Sequence, residues 1–218
     1  MTPGAPRGVE QHPDGAWAEG QGVKVGRRVP VELGRETLDR KSRTSNVYLS
    51  GMIGSGKTAI GERLAARLGR PFLDLDREMD CELGRSFHEL VQEQGWLAFR
   101  ELEYALCRRF AGMKGVVVAL GGGTVRYAWN RDILHGTGVM ILLESDLRVL
   151  AERVRRADRP RVNPGVSLEQ DLQQIWSTSA HLYRESADII YRTDEGKDVE
   201  SEVSDLLACL AAHGLSQV

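Results

Sequence analysis

The 218-residue chain lacks any apolar run approaching the roughly 20 residues that a membrane-spanning helix requires, so neither a span nor a membrane partner is expected. It also lacks an excess of charge of either sign, with 29 Lys and Arg against 31 Asp and Glu. Near-neutrality removes the electrostatic case for nucleic acid or an anionic membrane surface. Cysteine is scarce, and Cys81, Cys107 and Cys209 are scattered and odd in number. They show no metal-ligand spacing and no disulfide framework, and read as reduced thiols packed as small hydrophobes, which points to the cytoplasm. The N-terminal stretch has no apolar segment of the secretory type, and Glu10, Asp14 and Glu19 interrupt it against the acid-poor pattern of a transit peptide. There is no N-K-x-D stretch to specify guanine and no internal repeat.

What is present is ordinary globular composition, 41% hydrophobic and 28% charged, enough for one good core. The composition divides the chain in two. Residues 1–34 are dense in Gly, Pro and charge around a lone Trp17, and cannot bury enough apolar surface to offset chain entropy. Residues 1–45 are therefore expected to form a disordered tail and 46–218 one folded domain. The basic segment 24–41 reads as a solvated linker or an overextended gene start rather than a docking arm.

The folded part opens on an apolar run, Val47-Tyr48-Leu49, followed by the pattern G-x-x-x-x-G-K-T over 51–58. A strand, a glycine loop and a helix in that order form a phosphate-binding P-loop. Wrapping a polyphosphate with backbone N–H groups requires residues without a Cβ, supplied by Gly51 and Gly56 at the ends and Gly54 inside. Lys57 brings a positive charge to the β- and γ-phosphates, Thr58 offers a hydroxyl to Mg²⁺, and the following helix adds its N-terminal dipole. Gly51, Gly54, Ser55, Gly56, Lys57 and Thr58 form the expected ATP-binding loop.

Strands and helices then alternate. Strands are expected at 46–50, 72–76, 115–120, 139–143 and 189–192. Helices are expected at 57–68, 77–83, 86–93, 96–110, 126–134, 146–156, 168–185 and 199–212, with Ser86 and Glu89 as a capping box. This is an α/β fold of the P-loop NTPase type, an open parallel β-sheet of about five strands with helices on both faces. Ligands in such sheets bind outside the carboxyl ends of the strands. The P-loop, the Asp74/Asp76 pair and Gly121-Gly122-Gly123 each follow a predicted strand, so they are expected to converge on one cleft.

Asp74 and Asp76 flank one residue and, on a strand, would point the same way. One carboxylate can hold Mg²⁺ through a water and the other can take the proton of an acceptor hydroxyl. The glycine triplet would allow a close approach of ligand to backbone. Arg100 can reach a substrate anion, oriented by Glu103 three residues on. Arg159-Pro160-Arg161, preceded by Arg153, Arg155 and Arg156, lies in the polar loop 157–167 and reads as a mobile lid that excludes water from the transferring phosphoryl group.

Taken in order, G-x4-G-K-T, D-x-D, G-R-S, F-R-x-x-E, a strand ending G-G-G, R-P and L-Y-x-x-x-A-D resemble the shikimate kinase family, of the nucleoside-monophosphate-kinase-like P-loop group, from residue 46 to about 212. The resemblance implies transfer of the ATP γ-phosphate to the 3-hydroxyl of shikimate, in chorismate and aromatic amino acid biosynthesis, with Mg²⁺ as cofactor and a monomer as the working unit. It implies that Lys57 and Thr58 serve ATP and Mg²⁺ and that Asp74 holds magnesium through water. Asp76 would bind ring hydroxyls and act as the base, and Arg100 would pair with the shikimate carboxylate. Gly121, Gly122 and Gly123 would line the shikimate and γ-phosphate region. Arg159 would be the lid arginine on the phosphates, acting in catalysis with Asp76 and Lys57. Arg155 or Arg156 would stack on adenine, and 194–197 would close the adenine side.

The sequence departs from this pattern at one place. The family carries an arginine four residues before the Tyr of its L-Y motif, where it helps grip the carboxylate; here that residue is Ser179. The spacing Leu168, Leu172, Ile175, Ser179, Leu182 keeps it facing inward. Loss of a charge-assisted hydrogen bond costs about 1.5–3 kcal/mol if uncompensated. The stretch Gly95-Trp96-Leu97-Ala98 before F-R is also more apolar than in the family. Either another cation compensates, Arg126 being best placed ahead of Arg161 and Arg184, or the acceptor is another small hydroxylated acid or cyclitol. A non-catalytic ligand-sensing module is a third reading, against which the intact Lys57, Thr58, Asp74 and Asp76 argue.

Overall fold

The computed structural model describes residues 45–156 and 165–215. The strands are β1 (Asn46–Ser50), β2 (Phe72–Asp74), β3 (Val117–Ala119), β4 (Gly138–Glu144) and β5 (Ile189–Arg192). The helices are α1 (Lys57–Leu68), α2 (Leu75–Leu83), α3 (Phe87–Ala111), α4 (Ala128–Leu134), α5 (Leu147–Arg156), α6 (Leu168–Glu185) and α7 (Val199–Ala212), with a 3₁₀ turn at Thr124–Arg126. The strands pair in parallel in the order β2-β3-β1-β4-β5. β1 is central, with Tyr48 beside Val118 on one side and Met140 on the other.

Alternate residues of the inner strands go to opposite faces, which builds two cores. Val47 and Leu49 pack with Ile60, Leu64 and Leu68 of α1 and with Leu206 and Leu210 of α7. Tyr48 packs with Met79 of α2, Phe110 of α3 and Leu172 of α6 on the other face. β1 is buried along its whole length, as a strand covered on both faces must be. Helix α1 follows from its four-residue apolar spacing and stops where Gly69 takes φ 62° and returns its N–H to Ala65 and Ala66. Among the described residues no helix is long and apolar enough to cross a membrane.

The open α/β sheet of five parallel strands is thus as expected, and β1, β5, α1, α6 and α7 fall where the sequence placed them. Three local expectations are corrected. The strand expected at 72–76 ends at Asp74, because that carboxylate caps α2, accepting from the N–H of Asp76 at 3.1 Å and of Arg77 at 3.4 Å. Asp76 consequently stands in the first turn of a helix and not beside Asp74 on a strand. The helix expected at 126–134 is divided, since Tyr127 takes extended backbone (φ −102°, ψ 125°) between the 3₁₀ turn and α4. Ser86 does cap α3, through the His88 N–H at 3.3 Å, but Glu89 faces Arg85 at 3.8 Å; the reciprocal box is built at α6, between Ser167 and Gln170. The tail 1–44 and the lid segment 157–164, with Arg159, lie outside the described residues.

Asn46 ties these layers together at the start of β1. Its Nδ2 donates to Tyr48 Oη at 2.9 Å, Phe110 O at 3.2 Å and Met113 O at 3.0 Å, and its Oδ1 accepts from Val116 N at 3.2 Å. One amide thereby joins β1, the end of α3 and the entry to β3. Asn46→Ala leaves buried groups without partners and is expected to destabilise the domain by about 1–3 kcal/mol in urea unfolding at unchanged m-value.

Candidate active site

A cleft of about 610 Å³ opens over the carboxyl ends of the inner strands and is bordered by both the glycine loop and the glycine triplet. On its donor side, Gly51, Gly54 and Gly56 all take positive φ (140°, 83° and 93°), a backbone that residues with a Cβ avoid. Lys57 lies back over the loop, donating to Gly51 O at 2.8 Å and Met52 O at 2.9 Å. Thr58 Oγ1 donates to Asp74 Oδ2 at 2.7 Å, so the hydroxyl of α1 and the carboxylate ending β2 meet across the sheet. Asp74 is 9% exposed.

The base of the loop is fixed to β5. Arg153 of α5 donates to Thr193 O at 2.6 Å, Thr193 Oγ1 at 3.2 Å and Gly54 O at 3.5 Å, and Thr193 Oγ1 donates to Ser55 O at 3.3 Å. Sequence reasoning grouped Arg153 with the lid; it lines the cleft instead. Arg156, expected on adenine, is 75% exposed at the end of α5 and paired with Glu152, and Arg155 is paired with Glu169. Neither borders the cleft.

The acceptor side is built on α3. Gly95 (φ 80°, ψ 179°) breaks the helix, and the second half re-aims Trp96, Phe99, Arg100 and Glu103 along one face. Arg100 donates to Glu103 Oε2 at 2.7 Å. Glu103 is 1% exposed and also accepts from Thr124 Oγ1 at 2.8 Å and Asn130 Nδ2 at 3.0 Å. The Arg100 guanidinium carbon stands 4.3 Å from the Tyr127 ring centre, 4.7 Å from Phe99 and 5.7 Å from Trp96. Aromatic faces and one buried carboxylate therefore hold this cation before any substrate arrives. Neither Thr124 nor Asn130 carries a pattern that sequence reasoning could have used; they are found only through the carboxylate they satisfy.

The glycine triplet separates the two sides, and each glycine meets a different wall. A Cβ on Gly121 would stand 3.4 Å from Asp76 Oδ1, one on Gly122 3.2 Å from Ile53 N of the loop, and one on Gly123 3.6 Å from Arg100 Nη2. None of the three needs positive φ. Tyr183 of α6 pins the triplet by donating to Gly122 O at 2.5 Å, and burial pushes its phenol up to about 12.

A shikimate kinase family model matches residues 53–211. The chain belongs to the shikimate kinase family. A shikimate kinase of Chlorobium luteolum is 34% identical over 182 residues, covering 80% of this chain and 88% of that protein. One of Nitratidesulfovibrio vulgaris is 37% identical over 174 residues, covering 78% of this chain and 98% of its own. The solved structure of a shikimate kinase from Acinetobacter baumannii in complex with shikimate superposes with a TM-score of 0.75 at 28% identity, over 82% of this chain and 99% of that one. Membership in the shikimate kinase family accounts for the order of motifs along the chain. It does not alter the departure at position 179: Ser179 is 4% exposed on α6, faces inward as its spacing required, and brings no cation.

The buried Arg100–Glu103 pair generates a stability prediction. Glu103→Ala removes the carboxylate that satisfies Arg100, Thr124 and Asn130 together, and is expected to cost about 3–5 kcal/mol by chemical denaturation.

Proposed function

We propose that the chain is an ATP-dependent kinase that transfers the γ-phosphate to the 3-hydroxyl of shikimate. The observation that carries this reading is the single cleft in which the Lys57, Thr58 and Asp74 group and the Asp76 and Arg100 group face each other across the glycine triplet. The N–H groups of the glycine loop would cradle the β-phosphate, that of Ser55 after leaving Met52 O, to which it now donates at 3.2 Å, and Lys57 would leave its two loop carbonyls for the phosphate oxygens. Arg153 and the β5 loop fix the floor on the nucleotide side.

Thr58 and Asp74 fit Mg²⁺ in donor chemistry, both presenting hard oxygen within a 2.7 Å contact. No cluster of three or more His, Cys, Asp or Glu occurs there among the described residues, and Mg²⁺ needs none, because it keeps water and phosphate in its shell. When bound, it would neutralise charge on the phosphate oxygens.

On the acceptor side Arg100 would hold the carboxylate and Asp76 the reacting hydroxyl. The acceptor oxygen forms a bond to the γ-phosphorus, the bond from phosphorus to the β-bridging oxygen breaks, and the hydroxyl proton passes to the Asp76 carboxylate. Positioning carries most of the rate, as is usual for phosphoryl transfer. Arg159 would enter from the segment 157–164 to cover the phosphates, which would complete the lid.

A second reading, a kinase of another small hydroxylated acid, draws on the neutral Ser179 and the apolar wall of Phe87, Val91 and Trp96. A panel of hydroxylated acids and cyclitols at fixed ATP and Mg²⁺, read by ADP release, separates the two. Turnover of shikimate above all others is expected, and a larger kcat/KM for another acid would reverse the assignment. Asp76→Asn should lower kcat about 10²–10⁴-fold while ATP affinity is retained. Unchanged turnover would remove Asp76 from the base role.

A further inference from the structure

At Gly123 the Arg100 guanidinium and the Arg126 side chain approach the same piece of backbone. A Cβ there would stand 3.6 Å from Arg100 Nη2, 3.9 Å from Arg100 Nη1 and 3.9 Å from Arg126 Cδ, all ordinary contact distances, so both side chains lie against this one residue. Both arginines border the cleft. They come from different elements, Arg100 from α3 and Arg126 from the end of the 3₁₀ turn.

Their partners are unequal. Arg100 holds Glu103, and that carboxylate is already shared with Thr124 and Asn130. The buried Nε of Arg100 has no hydrogen-bond partner. The Arg126 guanidinium takes no hydrogen bond or ion pair among the described residues. Two cations thus border the cleft, and the carboxylate paired with one of them already accepts three hydrogen bonds. The Tyr183 phenol senses both, since Arg126 and Arg100 each oppose the upward push of burial on it. Of the other acids bordering the cleft, Asp76 stands beyond Gly121 at the far end of the triplet and Asp171 lies in the first turn of α6. Among the described residues α6 offers no cation at the position of Ser179, one helical turn before Tyr183, which contributes only a hydroxyl 3.4 Å from Thr178 Oγ1.

We infer that Arg126 is the second cation of the acceptor site and, with Arg100, forms a two-guanidinium clamp on the acceptor's carboxylate above Gly123. A carboxylate has about four lone-pair positions and can accept from both arginines at once. Its arrival offsets the repulsion between two like charges, of which Arg100 alone is paired with a carboxylate among the described residues. The clamp rests on the reading of the acceptor as a hydroxylated carboxylic acid. It places the specificity for that acid on a residue contributed by the turn after the glycine triplet, where α6 supplies none.

The test is a binding titration together with turnover, so that the two readings fail separately. Trp96 lies 5.7 Å from the Arg100 guanidinium, and its fluorescence reports shikimate binding without catalysis. Arg126→Ala is expected to weaken shikimate binding and raise its KM about 10- to 100-fold, with the KM for ATP and the Tm unchanged. Arg126→Lys, which keeps the charge and loses the fork, should fall between. The carboxamide analogue of shikimate should bind wild type and Arg126→Ala equally weakly. If wild type binds shikimate and Arg126→Ala binds it as well, or if the acid-over-amide preference is as large after the substitution as before it, the clamp is wrong whatever the turnover. If wild type binds shikimate through Arg126 but does not phosphorylate it, the clamp stands and the proposed reaction falls. If wild type does not bind shikimate, both fall.

Discussion

β1 is hydrogen-bonded on both sides, to β3 and to β4, and both pairings are parallel. Parallel pairing sends every carboxyl end to one edge of the sheet, and the crossover helices occupy the faces. The central position of β1 therefore decides where the chemistry can be. The loop that leaves β1 must share its edge with the ends of β2, β3 and β5, which deliver Asp74, the glycine triplet and Thr193. Thr58 meeting Asp74, and Thr193 meeting Ser55, follow from that geometry across sequence separations of 16 and 138 residues. No local preference could arrange either contact.

Two sets of glycines serve this edge for different physical reasons. Those of the phosphate loop take backbone angles that side chains avoid. Those of the triplet take ordinary angles, and space is tight at the first two, where a Cβ would crowd Thr124 Oγ1 at 3.0 Å and the Ile53 backbone at 3.2 Å, while Gly123 lies in ordinary contact with the Arg100 guanidinium. A sequence shows both as glycine-rich runs. The first could be read in advance because a motif fixes its spacing. The close approaches of the second appear only once the walls are in place.

The same distinction governs what else was legible. Apolar spacing of four residues gave α1, and β-branched density gave the centre of β3, because burial of a face is a periodic demand on sequence. The end of β2 was misread because a carboxylate after an apolar run suits both a strand end and a helix cap, and capping prevailed once the N–H groups of Asp76 and Arg77 were within reach. The Arg100–Glu103 pair was legible as a three-residue spacing, yet its burial was not. Its supporting groups, Thr124 and Asn130, lie 21 and 27 residues away and answer to a hydrogen-bonding requirement that has no period. Arg153 and Arg156 were indistinguishable as members of one basic run, yet the first lies against the loop and the second, at the last residue of α5, in solvent.

The two halves of the cleft are held in register by α6. Tyr183 donates to Gly122 O, and Gly122 in turn lies against Ile53 of the phosphate loop. The hydroxyl that makes this link is buried, and burial raises its pKa to about 12, which keeps it protonated, hence a donor, near neutral pH. The link between donor and acceptor sides therefore does not titrate with the substrate groups it serves. Ser179 stands one turn earlier on the same helix, so a cation there would be carried by the element that fixes the triplet. With the cation on the 3₁₀ turn instead, the helix is left to position and the turn to recognise. The two tasks can then vary independently, and a change in acceptor need not disturb the register of the phosphate loop.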